Sequence, residues 1–334
     1  MTRISTKIAA AGLAIVALFG MSGCQGSVPH PKSQSSSAAQ SPDMTEAQEK
    51  KVRGDMLDVL DAADKAKSPD ELSARLSGPA LEVRTSELQI AKATGNLDPK
   101  ATIPRDIAQT VIPTQSGWPR SVFSITTTTK DQQSKRLMVM NQDSARSNYK
   151  LWGVVRLFQG AKLPKFAIPS IGADMGSSDD SGLAAKPQDT VSEYADLLQK
   201  GKQSKYASKF ADDYFRQDLD KLSQTVAEGM ERNKGTQTQT FTPVKGQVAV
   251  MRSSDGGDLV VAQINSEWTR AAGEGRESQP ASDAERALFG QGKATSTMKV
   301  TYVNVVAFYV PPAQSGEKIT AVGAERQPIK VEAV

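Results

Sequence analysis

From residue 45 onward, two stretches of the chain show the same succession of periodicities. In the first, Val52, Met56, Val59, Leu60 and Ala63 recur at helical spacing, which predicts a helix over residues 45–67. Ser68, Pro69 and Glu71 have the layout of an N-cap, a first-turn proline and a capping-box acid, and predict a new helix start. Another helical stretch covers 80–93 and ends near Gly95 and Asn96. The period then falls to two, over 121–129, 136–142 and 149–158. In the last of these, Tyr149, Leu151 and Gly153 share one face, and Trp152, Val154 and Arg156 the other. The second stretch opens with Val191, Tyr194, Ala195 and Leu198 as a helical stripe. Helices over 202–215 and 216–232 follow, the latter carrying Leu219, Leu222, Val226 and Met230. Strands are expected over 247–252 and 259–268, around an Asp255-Gly256-Gly257-Asp258 turn. A long strand over 298–310 runs into Pro311 and Pro312, and short strands over 319–323 and 329–334 finish the pattern.

Helices, a hairpin, a long strand and a last short strand thus occur twice, and 151–158 corresponds to 302–309. The order predicts an α+β chain of two tandem modules, each with N-terminal helices packed on a curved antiparallel sheet. That layout resembles the nuclear-transport-factor-2-like (NTF2-like) or cystatin-like architecture. The modules would span 45–172 and 189–334, joined by a linker over 173–188 that is rich in Gly, Ser and Asp.

The N-terminus changes every later reading. Arg3 and Lys7 precede an apolar run over 8–19, shorter than the roughly 20 residues a membrane span needs. Small residues then lead to Cys24, the layout of a secretory signal peptide over 1–23. Met21-Ser22-Gly23-Cys24 resembles the lipobox of bacterial lipoproteins, with Met21 in place of the more usual Leu. The resemblance implies cleavage between Gly23 and Cys24 and lipidation of the Cys24 thiol. The expected location is the extracytoplasmic face of the cell membrane, held by acyl chains each stabilised by about 0.8 kcal/mol per buried methylene. An ordinary signal peptide with an incidental cysteine is the alternative. Residues 24–44 are rich in Ser, Gln, Ala and Pro and read as a disordered tether with a span of about 25 Å.

Composition narrows the chemistry. Loss of Arg3 and Lys7 leaves 39 of the 41 basic side chains against 37 acidic ones, a nearly neutral body with no nucleic-acid footprint. Cys24 is the one cysteine, so disulfides are excluded. The one histidine, His30, lies in the tether, which excludes a Ser-His-Asp triad, a Cys-His dyad and a histidine-rich zinc site. No cofactor or metal site is expected. Asp174, Asp179 and Asp180 loosely suggest a calcium loop but lack EF-hand spacing, and a solvated linker is the plainer reading.

Three tryptophans each have an arginine near in sequence: Trp118 with Arg120, Trp152 with Arg156, and Trp268 with Arg270. Together they could line an aromatic and cationic pocket for an anionic amphiphile or a glycan; core packing with snorkelling arginines is the plainer alternative. Residues 272–297 form a long insertion in which Ser282-Asp283-Ala284-Glu285 marks a short helix, a lid, a docking element or a loop without a role. The run 149–166, with Trp118-Pro119-Arg120 upstream, resembles a family of actinobacterial lipoproteins of unassigned function. That resemblance covers most of the chain after the tether; it implies a cell-envelope location and brings no catalytic residues. The expected role is a non-enzymatic binding or scaffolding module for an envelope protein or amphiphilic ligand. The alternatives are a carboxylate-dependent hydrolase or transferase and a solute-binding lipoprotein of a transporter.

Overall fold

The computed structural model describes residues 41–114, 117–128 and 134–334; the signal segment, Cys24, His30 and most of the tether lie outside these residues. Residues Gln40–Val334 form one compact unit. Among the described residues the chain is α+β, with five helices and two antiparallel four-stranded sheets. Helix α1 (Glu46–Ala66) and helix α2 (Gly78–Thr94) precede strands β1 (Ile107–Val111), β2 (Arg120–Thr126), β3 (Arg136–Gln142) and β4 (Lys150–Arg156). Helices α3 (Pro187–Lys200) and α4 (Tyr214–Glu231) precede β5 (Thr236–Arg252) and β6 (Asp258–Ala271). Helix α5 (Asp283–Phe289), β7 (Thr297–Val310) and β8 (Thr320–Ala333) complete the chain. Strands run in sequence order in both sheets.

Strand alternation builds four layers. Phe123, Ile125, Leu137 and Val139 of the first sheet meet Val261, Val303, Val305 and Val322 of the second in one buried cluster. The opposite face of the first sheet, Val122, Met138, Met140 and Leu151, packs against Met56, Leu57 and Leu60 of α1 and Leu88 of α2. The opposite face of the second, Val260, Ile264, Val306 and Phe308, packs under Val191, Tyr194 and Leu197 of α3 and under Phe215 and Leu219 of α4. The two sheets therefore lie face to face, with helices outside each.

Helix α1 begins with a full capping box, in which Thr45 accepts from the Gln48 N–H and Gln48 reaches back to the Thr45 N–H. Its buried stripe includes Leu57, and polar Glu49 and Arg53, which form an ion pair at 2.8 Å; Val52 and Val59 are only partly covered. Ser68 starts no α-helix: its hydroxyl is held by Asp70, and a single 3-10 turn follows at Leu72–Ala74. The stretch expected as a helix over 202–215 is likewise two 3-10 turns, Gly201–Gln203 and Ala207–Lys209, with the start of α4.

In β4 a bulge lies opposite Val139 and Met140, so that two residues of β4 oppose one of β3. The bulge returns Val154 to the helix face shared with Leu151, whereas strict alternation placed it with Trp152. Helix α2 starts at Gly78 with φ of +51°, where a Cβ would sit 2.7 Å from the Trp152 ring. The segments expected separately over 319–323 and 329–334 are one strand, β8. Residues 173–188, read as a linker, run through the joint of the two sheets: Ala173 bridges Pro113, Met175 bridges Met251 and Leu183 bridges Pro312.

Candidate functional site

The three tryptophan–arginine pairs occupy three separate places. Trp118 is 42% exposed, with the Arg120 guanidinium 4.4 Å above its ring and Arg120 paired to Asp43 at 3.3 Å. Trp152 is buried between the sheets and donates to Gln247 at 2.6 Å. Arg156, four residues on, leaves that space and forms a two-pronged ion pair with Glu325, at 2.8 and 3.1 Å. Trp268 is buried at the far end of the second sheet and donates to Gln237 at 2.8 Å. Arg270 sits 5.2 Å from its ring and is paired with Glu285 of α5. The expected common lining is thus not assembled, because the hydrogen bonds of the buried rings point to separate partners. Of the six, Arg156 lines an open cleft.

That cleft lies between α4 and β8. Its helix is fixed at one end. Asp213 caps α4, accepting from the Arg216 N–H at 2.9 Å, from Arg216 Nε at 2.6 Å and from the Tyr194 hydroxyl at 3.0 Å. Burial raises the Tyr194 hydroxyl well above the ordinary tyrosine range, so it stays a donor. Beyond this anchor the apolar stripe of α4 is only partly used. Phe215 and Leu219 are buried, but Leu222 remains 42% exposed. The space left is about 430 Å³, lined by Leu219, Leu222, Phe215, Leu157, Ala324 and Arg326 among others. Phe158 and Tyr214, edge to face with ring centres 5.7 Å apart, separate it from a neighbouring groove of about 850 Å³ along 158–164. Both volumes fall in the range of about 300–1,000 Å³ typical of ligand pockets.

Behind Arg326, which lines the cleft, a polar ladder runs across β6, β7, β8 and α5. Asn304, fully buried in an apolar strand, donates to the Ile264 carbonyl at 2.8 Å and to Ser266 Oγ at 3.0 Å. Arg326 stacks on Tyr302, 3.7 Å from the ring centre, and its Nη1 reaches Ser266 Oγ at 3.3 Å and Asn304 Oδ1 at 3.4 Å. The Tyr302 hydroxyl lies 3.3 Å from Glu285, which also accepts from the Ala281 N–H at 2.7 Å. The 272–297 insertion is therefore pinned here, with Ser282 capping α5 and Leu288 and Phe289 packed on the Trp268 cluster. Nη2 of Arg326 has no acceptor. Burial lowers the Arg326 pKa, and an unsatisfied donor of this kind costs about 1–3 kcal/mol, more when charged.

Carboxylates with raised pKa lie elsewhere, in closed surroundings. Glu87 is pushed up to about 7 by burial, against Arg84 at 3.0 Å and with Glu325 adding repulsion. It borders a cavity of about 30 Å³ between α2 and the first sheet, room for about two waters. Asp258, also raised to about 7 by burial, lies 3.6 Å from Arg252. The acids weighed as a calcium loop are engaged: Asp180 with Arg252, Asp179 with Gln188, Asp174 with Thr114 at 2.9 Å.

Sequence reading missed Tyr302, Asn304 and Arg326. The available signal was polar residues inside the longest apolar strands: Asn304 within β7, and Glu325-Arg326-Gln327 within β8.

An α+β body of two stacked sheets, with an open apolar-walled cleft under one helix, is the class of protein these features define. The chain belongs to the family described as Domain of unknown function (DUF8094), whose model matches residues 40–330. No curated protein and no solved structure matches it.

Proposed function

We propose that the protein is a lipid-anchored, extracytoplasmic binding module of the cell envelope. The observation that carries the binding role is the cleft under α4, where a helix fixed at its N-terminus leaves Leu222 uncovered in a space that Arg326 also lines. The anchor rests on the lipobox-like run ending at Cys24. The position of exposed apolar side chains supports it. The chain reaches the body at Asp43, whose N–H donates to the Pro113 carbonyl at 2.8 Å and whose carboxylate pairs with Arg120. Trp118 stacks on that arginine, and Ile168 and Ile171 are 60% and 62% exposed on the turn leading to Gly172, which faces Pro42. An apolar rim beside the tether suits a body resting on a membrane surface.

Under this reading the two halves are tandem modules of the NTF2-like or cystatin-like kind. Each lays its helices on the outer face of a four-stranded sheet whose strands follow sequence order.

Intact-mass measurement of protein recovered from membranes tests the anchor. The expected chain begins at residue 24 and carries a lipid mass, and Cys24→Ala moves the protein to the soluble fraction. An uncleaved chain, or unlipidated native protein, would overturn it. A second reading, a carboxylate-dependent hydrolase or transferase, draws on Glu87, protonated near neutrality beside Arg84. The space around Glu87 admits water and no substrate-sized molecule, so the binding reading stands first.

A further inference from the structure

Four arginines that reach the core pair with carboxylates, and fully buried Arg136 donates to the Ser134 and Lys100 carbonyls. Arg53 meets Glu49 at 2.8 Å, Arg84 meets Glu87 at 3.0 Å, Arg156 meets Glu325 at 2.8 Å, and Arg270 meets Glu285. Arg326 breaks this pattern. Its contacts are two long ones to the neutral oxygens of Ser266 and Asn304, the face of Tyr302, and no acceptor at Nη2. An arginine keeps its charge at any physiological pH. Glu285 attracts Arg326 through space but no carboxylate lies within its hydrogen-bond reach, so the guanidinium favours an anion, and the stack on Tyr302 fixes its plane.

What surrounds it selects the rest of the ligand. From Arg326 the cleft runs along Ala324, Leu219 and Leu222, an apolar path that opens to solvent at Leu222 and Tyr214. Asp218, the one acid among the lining residues, is exposed on the outer turn of α4.

We propose that the cleft between α4 and β8 binds an amphiphile with a single anionic headgroup, the headgroup on Arg326 and the apolar chain along Leu219 and Leu222. The proposal rests on the binding role assigned above to the same cleft and names its ligand class. A carboxylate or phosphate supplies the opposite charge that Arg326 lacks within hydrogen-bond reach, and the chain covers the part of the α4 stripe that the fold leaves bare. A free fatty acid and an anionic membrane lipid share this chemistry.

The test is a fluorescence titration with 11-(dansylamino)undecanoic acid. It uses the chain from residue 24 onward with Cys24→Ser, so that no acyl chain of its own competes. The expected result is saturable, blue-shifted emission at one probe per chain. Arg326→Leu weakens binding at least tenfold, Arg326→Lys recovers most of it, and the methyl ester of the probe binds wild type as weakly as the acid binds Arg326→Leu. Displacement by oleate alone marks a free fatty acid as the ligand; displacement also by phosphatidylglycerol vesicles, and not by phosphatidylcholine vesicles, marks a membrane lipid. Leu222→Asp, at an exposed position that the fold does not need, separates the two levels of the argument. Loss of binding in Leu222→Asp with none in Arg326→Leu would overturn the anionic headgroup and leave the cleft as a binding site. An unaffected Leu222→Asp, or no saturable binding by wild type, would overturn the cleft itself as the amphiphile site.

Discussion

The two sheets are covered by helices in different ways, and element lengths explain the difference. Strands β2, β3 and β4 have seven residues each, about 24 Å, while α1 has 21 residues, about 31 Å. One helix can cross the whole first sheet. Met56, Leu72 and Leu88 are fully buried, the cavity between α2 and the first sheet is about 30 Å³, and the larger space of about 510 Å³ in this half lies at the edge, between the start of α1 and β1. Strands β5 to β8 have 14 to 17 residues, about 48–58 Å, while α3 has 14, about 21 Å. No single helix covers that length. Helices α3, α4 and α5 share it, and the cleft opens where α4 leaves β8 bare. The centre of the first half is closed by its helices, and the half with unequal lengths opens a cleft beneath α4.

The largest effect expected from this contrast is on the shared core. Phe123 is fully buried between the sheets, so Phe123→Ala should cost about 3–5 kcal/mol. Because residues 40–334 form one unit, the loss should lower a single melting transition followed alike by far- and near-ultraviolet circular dichroism. Two separate transitions would show that the sheets fold independently and that their contact is secondary.

The next effect belongs to the first half alone. Glu87 has its pKa raised to about 7 in the folded protein from an ordinary value of 4.5. Between these pH values the folded state binds a proton that the unfolded chain has released. The stability tied to Glu87 is therefore fully present below about pH 4.5 and is lost as pH rises to 7, by up to about 3 kcal/mol. Glu87→Gln should match wild type near pH 4 and gain on it progressively toward pH 8 in denaturant titrations. Parallel pH profiles for the two proteins would refute the burial of an unstable charge under α2.

The smallest stability effect is expected at the cleft. Leu222→Asp should change stability by no more than about 0.5 kcal/mol, because the side chain is already 42% exposed. Its consequence should appear in ligand binding alone. A large loss of stability would mean that α4 closes onto β8 in solution.

Much of this arrangement was legible in local patterning. The helical stripes of α1, α2, α3 and α4 and the runs of β3 and β7 were placed within a few residues. Of the capping box read at Ser282, the cap is present, Ser282 accepting from the Glu285 N–H at 3.1 Å, while the Glu285 side chain accepts from the Ala281 N–H instead of that of Ser282. Capping residues failed as a guide at Ser68, where the turn closes after one 3-10 step, and β1 escaped notice because its short Ile-Ala-Gln-Thr-Val run has little apolar contrast. The face of Val154 was misassigned because a bulge depends on the partner strand and leaves no mark in period two.

The candidate site was harder to read because it is made of distances in sequence. Arg326 meets Tyr302 from 24 residues away and Leu222 from about a hundred, and only stacking of β8 on β7 beneath α4 brings them together. Trp–Arg spacing suggested a pocket, yet neighbours two or four apart on a strand are drawn to different partners by the sheet around them. By itself the sequence determined element type, the apolar face of each helix and the charge chemistry excluded by one histidine and one cysteine, because these depend on residues within a few turns of one another. Only the tertiary structure decided that Arg326 would have no carboxylate within hydrogen-bond reach and which stretch of α4 would stay uncovered. Both depend on how far each helix reaches over strands it does not share a segment with.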